Sequence, residues 1–175
     1  MKMDVIAGSK NDEFYTPAYA IRPIIEHLTN RNFKKIWCPF DSDQSLFVSE
    51  LTAAGFDVTH THLDNGYDFF KTQTPEGTDC VVSNPPYSIK GSVFKELFAR
   101  KVNFAMLVGI VGIFESQNRF EMFKDNKFEL MLLSKRIAYF KSYQEQKPSL
   151  NPPFSSVYVT SGVLPSQICF GEIHK

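Results

Sequence analysis

The residues best equipped for chemistry are Asn84-Pro85-Pro86-Tyr87, which follow the apolar run Cys80-Val81-Val82-Ser83. Each proline fixes its own φ and lacks a backbone N–H. The residue before a proline is pushed out of the helical region, and this constrains both Asn84 and Pro85. The segment therefore reads as a stiff, extended ledge at the end of a buried strand. It presents an amide side chain, proline carbonyls that keep their acceptor character, and the ring of Tyr87. Such a set can accept hydrogen bonds from a planar N–H group and lay one flat ring against another. Rigid strand ends are where α/β proteins place ligands and chemistry.

Three further stretches combine polar and aromatic residues: Phe14-Tyr15-Thr16-Pro17, Cys38-Pro39-Phe40-Asp41-Ser42-Asp43 and Asp68-Phe69-Phe70. A fourth, Asn151-Pro152-Pro153-Phe154-Ser155, is a second proline-stiffened aromatic loop; it reads equally as a plain turn between strands. His60, His62 and Asp64 follow a strand-like segment. A histidine at a strand end is more often structural than a ligand, so His62 carries little weight.

The elements that must hold these residues alternate in type. Residues 1–13 are polar and read as loose. Thr16 reads as an N-cap with Pro17 at the first helical position. Ile21, Ile24, Ile25 and Leu28 then fall on one helix face. Pro23 interrupts them, so a short turn is expected, with the main helix starting near Arg22 and ending at Asn30 and Asn32. Residues 35–40 read as a strand stopped by Pro39, 45–54 as a helix closed by Gly55, and 57–62 as a strand. After the ledge, 93–101 read as a helix, 104–113 as a strand covered on both faces, and 114–126 as an amphipathic helix. Residues 128–133, 136–140, 156–160 and 168–173 read as strands, with a polar loop over 141–156. The pattern predicts an α/β fold: a mostly parallel sheet with helices on both faces and an antiparallel strand pair at the end.

At 175 residues, the chain reads as one domain over 1–175 with no separate target-recognition domain. Its 43% hydrophobic content supports a real core, and its 17 Phe and 7 Tyr mostly serve that core. Three widely spaced cysteines, Cys38, Cys80 and Cys169, offer neither a disulfide framework nor zinc-ligand spacing, and no metal site is expected. No signal peptide or membrane-length apolar run is evident, which fits a reducing cytoplasm and no membrane partner. The net charge of zero is divided unevenly. Residues 1–88 hold 7 Lys/Arg against 12 Asp/Glu, whereas residues 89–147 hold 11 against 6. Solvated helix faces account for such a division, and a basic half can also face phosphates.

With these stretches in place, the chain resembles the S-adenosylmethionine-dependent DNA N6-adenine methyltransferases, in a minimal, phage-like form. Ser83-Asn84-Pro85-Pro86-Tyr87 looks like the family's catalytic tetrapeptide with its preceding residue. Phe14 to Pro17 looks like the segment placed against the cofactor before the first helix, and Asp68-Phe69-Phe70 like the loop at the cofactor's adenine ring. The resemblance implies a Rossmann-like class I methyltransferase sheet. It makes Asn84, Pro85, Pro86 and Tyr87 catalytic. Tyr15, Thr16, Pro17, Cys38, Pro39, Phe40, Asp41, Asp68, Phe69 and Asn84 would contact S-adenosylmethionine. Tyr87, Ser88 and Phe154 would contact an adenine flipped out of DNA. The sequence departs from the family after the first strand. Cys38 stands where an Asp is common, and the glycines are missing, so Asp41 or Asp43 would receive the cofactor's α-amino group. The same tetrapeptide serves relatives that methylate RNA bases or a glutamine amide, and a non-catalytic binding module is a further alternative. With little chain for a recognition domain, specificity is expected to be short and loop-borne, relaxed, or supplied by a partner, and a homo-oligomer is a further partner alternative.

Overall fold

The computed structural model describes residues 14–148 and 154–175. The expectations for residues 1–13 and for Asn151, Pro152 and Pro153 lie outside the described residues. The chain builds one seven-stranded sheet from β1 (Lys35–Cys38), β2 (Asp57–His60), β3 (Cys80–Ser83), β4 (Phe104–Gly109), β5 (Glu129–Leu133), β6 (Ser156–Ser161) and β7 (Ile168–Gly171). Its helices are α1 (Ala18–Asn30), α2 (Leu46–Ala53), α3 (Lys90–Arg100) and α4 (Gln117–Lys124). The strand order is β2-β1-β3-β4-β6-β5-β7. Pairings among β2, β1, β3 and β4 are parallel, as is β5 with β7. The antiparallel pairing falls in the C-terminal part, where β6 runs against both β4 and β5. This is the mostly parallel, Rossmann-like sheet that the alternation of elements predicts.

The strands that carry the sheet's centre are the apolar ones. Every residue of β3 and β4 is buried, because helices cover both faces. On one face, Ile21, Ile24 and Leu28 of α1 and Phe47 and Leu51 of α2 pack on Cys38, Val82 and Leu107. On the other, Phe94 and Leu97 of α3 and Phe123 of α4 pack on Trp37, Val81 and Met106.

Two local expectations are corrected. Helix α1 runs through Pro23 without a break, and its N-cap is Pro17, not Thr16. An interior proline costs ~3 kcal/mol. The buried side chains of Ile21, Ile24 and Leu28 stabilise the continuous helix by about 1.5–3 kcal/mol each, and so outweigh it. Residues 136–140 form no strand: Phe140 makes only isolated bridges to Tyr15 and Pro148, while Ile137 and Tyr139 point into the core. The place beside β5 belongs to β7.

Candidate functional site

Open α/β sheets bind ligands outside the carboxyl ends of their strands, where the strand order reverses. Here that point lies between β1 and β3, since the chain goes from β1 outward to β2 and returns to β3 on the other side. Pro39 stops β1, and Asn84-Pro85-Pro86 stop β3, so both strands end in stiff polar loops at this point.

Three hollows adjoin there. A polar cleft of about 310 Å³ is lined by Phe14, Tyr15 and Thr16, by Phe40 to Gln44, by His62, Asp64 and Asn65, by Asn84, Pro85 and Pro86, and by Tyr143. A mainly apolar slot of about 90 Å³ is lined by Pro39, Leu63, Tyr67, Asp68, Phe69, Phe70 and Ile89, and shares Phe40, His62 and Pro86 with the cleft. On the other side, a small hole of about 10 Å³ lies among Tyr87, Lys90, Val108, Gly109, Tyr139 and Phe154, and shares Phe14, Asn84 and Pro85 with the cleft. The ledge is therefore the common wall of cleft and hole.

The Asn84 amide is held rigidly. Its Nδ2 donates to the Phe14 carbonyl at 2.8 Å and to Thr16 Oγ1 at 3.1 Å. Both amide hydrogens are thereby engaged, which leaves Oδ1 as the group's acceptor. The Thr16 hydroxyl serves the ledge instead of capping α1. Tyr15 is fixed by backbone bonds to Phe140 at 3.2 and 2.8 Å, and its ring packs on Tyr143 with centroids 4.3 Å apart.

Asp41 ties this wall together. One carboxylate oxygen accepts from Ser45 Oγ at 2.5 Å, and the other accepts from Ser83 Oγ. Burial raises its pKa to about 6, and the hydroxyls of Ser45 and Ser83 and the charges of His62 and His60 offset part of that rise. Asp43, by contrast, is an exposed acid on the same wall.

The aromatic hole is closed by stacking. Tyr87 and Phe154 lie 25° apart with centroids at 5.6 Å, and Phe14 meets Phe154 edge-on at 5.8 Å. Phe154 presses on Gly109, where an added Cβ would lie 2.7 Å from the ring. Lys90 places its ammonium 4.0 Å from the centre of the Tyr87 ring and donates to the carbonyls of Gly109 and Val111. Burial, then Arg119, lowers its pKa to about 8. Beneath the slot, Phe69 packs on Phe40 at 5.0 Å and on Trp37 at 5.7 Å, and Trp37 Nε1 donates to Thr61 Oγ1 at 3.0 Å.

Of the residues singled out from the sequence, Tyr15, Thr16, Phe40, Asp41, Asn84, Pro85 and Pro86 line the cleft, Pro39, Asp68 and Phe69 the slot, and Tyr87 and Phe154 the hole. Pro17, Cys38 and Ser88 line none of the three. Pro17 is buried at the start of α1, and Ser88 lies in a single 3-10 turn. Cys38 is fully buried in the core, and that burial pushes its thiol pKa up. His62 and Asp64 were noted in the sequence without a site role, and Asn65, Gln44, Tyr143 and Lys90 were missed as lining residues. For His62 to Asn65 the available signal was position, directly after β2 on the ligand side of the sheet. Tyr143 has no local signal, because tertiary packing, including that on Tyr15, brings it to the cleft. Among the described residues, no group of His, Cys, Asp or Glu is placed to hold a metal ion, and no helix is long and apolar enough to cross a membrane.

No protein-family model matches the chain, and a search of curated proteins finds no match. Solved structures do match its fold. One described as the modification subunit of a type I restriction enzyme from Vibrio vulnificus YJ016 superposes with a TM-score of 0.58 at 12% identity. That match covers 88% of this chain but 45% of the other, so the chain spans less than half the length of this neighbour. At this identity the likeness is one of fold.

Proposed function

We propose that the chain transfers a methyl group from S-adenosylmethionine to the N6 amino group of adenine in DNA. The observation that carries this reading is the shared wall: Asn84 and Pro85 stand between a polar cleft and an aromatic hole. A neighbour described as a modification subunit has the same fold, which agrees with this reading.

The hollows suit the cofactor. The cleft and slot together are of the ~300–1,000 Å³ scale of small-molecule sites. The aromatic slot between Phe40, Phe70 and Pro86 fits a purine ring, and Asp64 and Asn65 offer acceptors for ribose hydroxyls. Asp43 is better placed than Asp41 for an ammonium, because both oxygens of Asp41 already accept hydroxyls. When bound, S-adenosylmethionine supplies an electrophilic methyl group.

The protein's part is to present the amine. An exocyclic amine is a poor nucleophile because its lone pair is delocalised into the ring. Oδ1 of Asn84 and the Pro85 carbonyl accept hydrogen bonds from the two N–H groups. This favours the tetrahedral nitrogen over the planar one and stabilises the developing positive charge. Tyr87 and Phe154 hold the flipped ring by stacking, at ~1–3 kcal/mol per base. Two faces with a base between them need about 7 Å, twice a carbon–carbon contact, so the 5.6 Å pair must open to admit it. The decisive assay uses methyl-labelled cofactor with mixed-sequence DNA and RNA. Label in DNA N6-methyladenine supports the reading; label in RNA alone, or in neither, overturns it.

A further inference from the structure

We propose that the open groove between α3 and α4 binds the phosphodiester backbone of the DNA strand whose base enters the hole. This rests on the DNA reading above and names a contact that reading leaves unassigned. The groove has a volume of about 690 Å³. Gly91, Ser92 and Lys95 of α3 form one wall, and Ser116, Asn118 and Arg119 at the start of α4 lie on the other.

The groove carries two cations and two carboxylates. Arg119 lies against the start of α3: a Cβ on Gly91 would sit 2.9 Å from its guanidinium. One guanidinium nitrogen donates to the Gly112 carbonyl, and the fork carries five N–H donors in all. Lys95 follows one turn along the same face of α3. The carboxylates of Glu121 and Asp125 come later on α4, and Glu121 accepts from Gln117 at 2.8 Å. Arg119 therefore stands where the groove meets Gly91, and Glu115 is also within electrostatic reach of the neighbouring Tyr87 and Lys90.

The Arg119 end adjoins the hole. Lys90, which lines the hole, immediately precedes Gly91, which lines the groove. A strand that delivers a base past Tyr87 must carry its flanking phosphates past Lys90 and Gly91. There it meets a guanidinium fork, an ammonium, two hydroxyls and an amide, the donor types that hold phosphate oxygens in protein–DNA contacts. The groove's two cations, Lys95 and Arg119, limit the contact to one or two phosphates.

Filter binding of a mixed-sequence duplex of about 24 base pairs, over about 50 to 200 mM salt, tests this. For the wild type, log K falls linearly with log salt. Lys95→Gln and Arg119→Gln should each flatten the slope by about 0.9, the value for one neutralised phosphate. Calorimetric S-adenosylmethionine binding should persist in both. Lys34→Gln, just before β1 at the opposite end of the sheet, should keep the wild-type slope. Arg119→Gln also loses its contact with Gly112, so Lys95→Gln is the variant independent of that packing. Unchanged slopes in both folded variants, with wild-type methyl transfer to DNA intact, overturn the groove alone. A wild type that binds S-adenosylmethionine but neither binds nor methylates DNA overturns the DNA reading, and the groove with it.

Discussion

Asn84 gives both amide hydrogens to the segment before α1, so its removal should affect two things separately. Asn84→Ala should abolish methyl transfer, because the acceptor Oδ1 is gone. It should also leave S-adenosylmethionine binding within a few-fold of wild type, as calorimetry can establish. Phe154→Ala should lower kcat/KM for DNA by about 5- to 150-fold, the equivalent of ~1–3 kcal/mol of lost stacking. Asp41 makes a pH-dependent contribution. Its folded pKa of about 6 lies above the ordinary aspartate value of 3.8. The folded state therefore binds the proton more tightly, and this stabilisation is complete below pH 3.8 and lost as pH rises to about 6. Asp41→Asn has no such term. Urea titrations across that window should show wild type losing stability relative to the variant, by on the order of 3 kcal/mol in total. The ledge was legible in sequence because prolines act locally on φ and ψ. Lys90 was not, because its carbonyl partners on Gly109 and Val111 meet it only after α3 has packed on β4.

At the scale of elements, Glu129 holds the C-terminal part of the sheet together. Its buried carboxylate accepts from the backbone N–H groups of Gly162, Val163 and Leu164 at 3.1, 2.9 and 2.8 Å, just after β6. Glu129→Ala leaves these donors unpaired. It should lower stability by about 1–3 kcal/mol for each one that stays dry, read from the urea midpoint. The turn itself needs Gly162, whose φ is +71° and whose missing Cβ would lie against Asn103 Oδ1. Nothing in the local pattern around Glu129 distinguishes it from a surface acid at a strand start. Its role comes from a turn 33 residues later. The same limit explains residues 136–140, whose alternation matches a strand although the sheet has no place for one. β1, β3 and β4 were readable because continuous apolar runs bounded by proline or glycine have few alternatives.

Across the whole molecule, the charge division in the sequence coincides with a division of the site. The polar cleft draws its walls mainly from the acidic first half, and the groove draws its walls from the basic stretch after Ser88. Two ligands of opposite charge should then respond differently to ionic strength. Between about 50 and 200 mM salt, DNA affinity should fall about tenfold for two neutralised phosphates, while calorimetric affinity for S-adenosylmethionine changes little. The pairing of segments 14–16, 62–65 and 143 around the ledge is a product of topology, since it requires the β1–β3 reversal and the return of the chain to Tyr15. Trp37 gives this arrangement a practical consequence. It is the chain's single tryptophan, and its indole touches the Phe69 ring that floors the slot. The protein thus carries its own optical probe at the slot. A ligand entering beside Phe69 should change the intrinsic tryptophan emission, with no label attached and no substrate present.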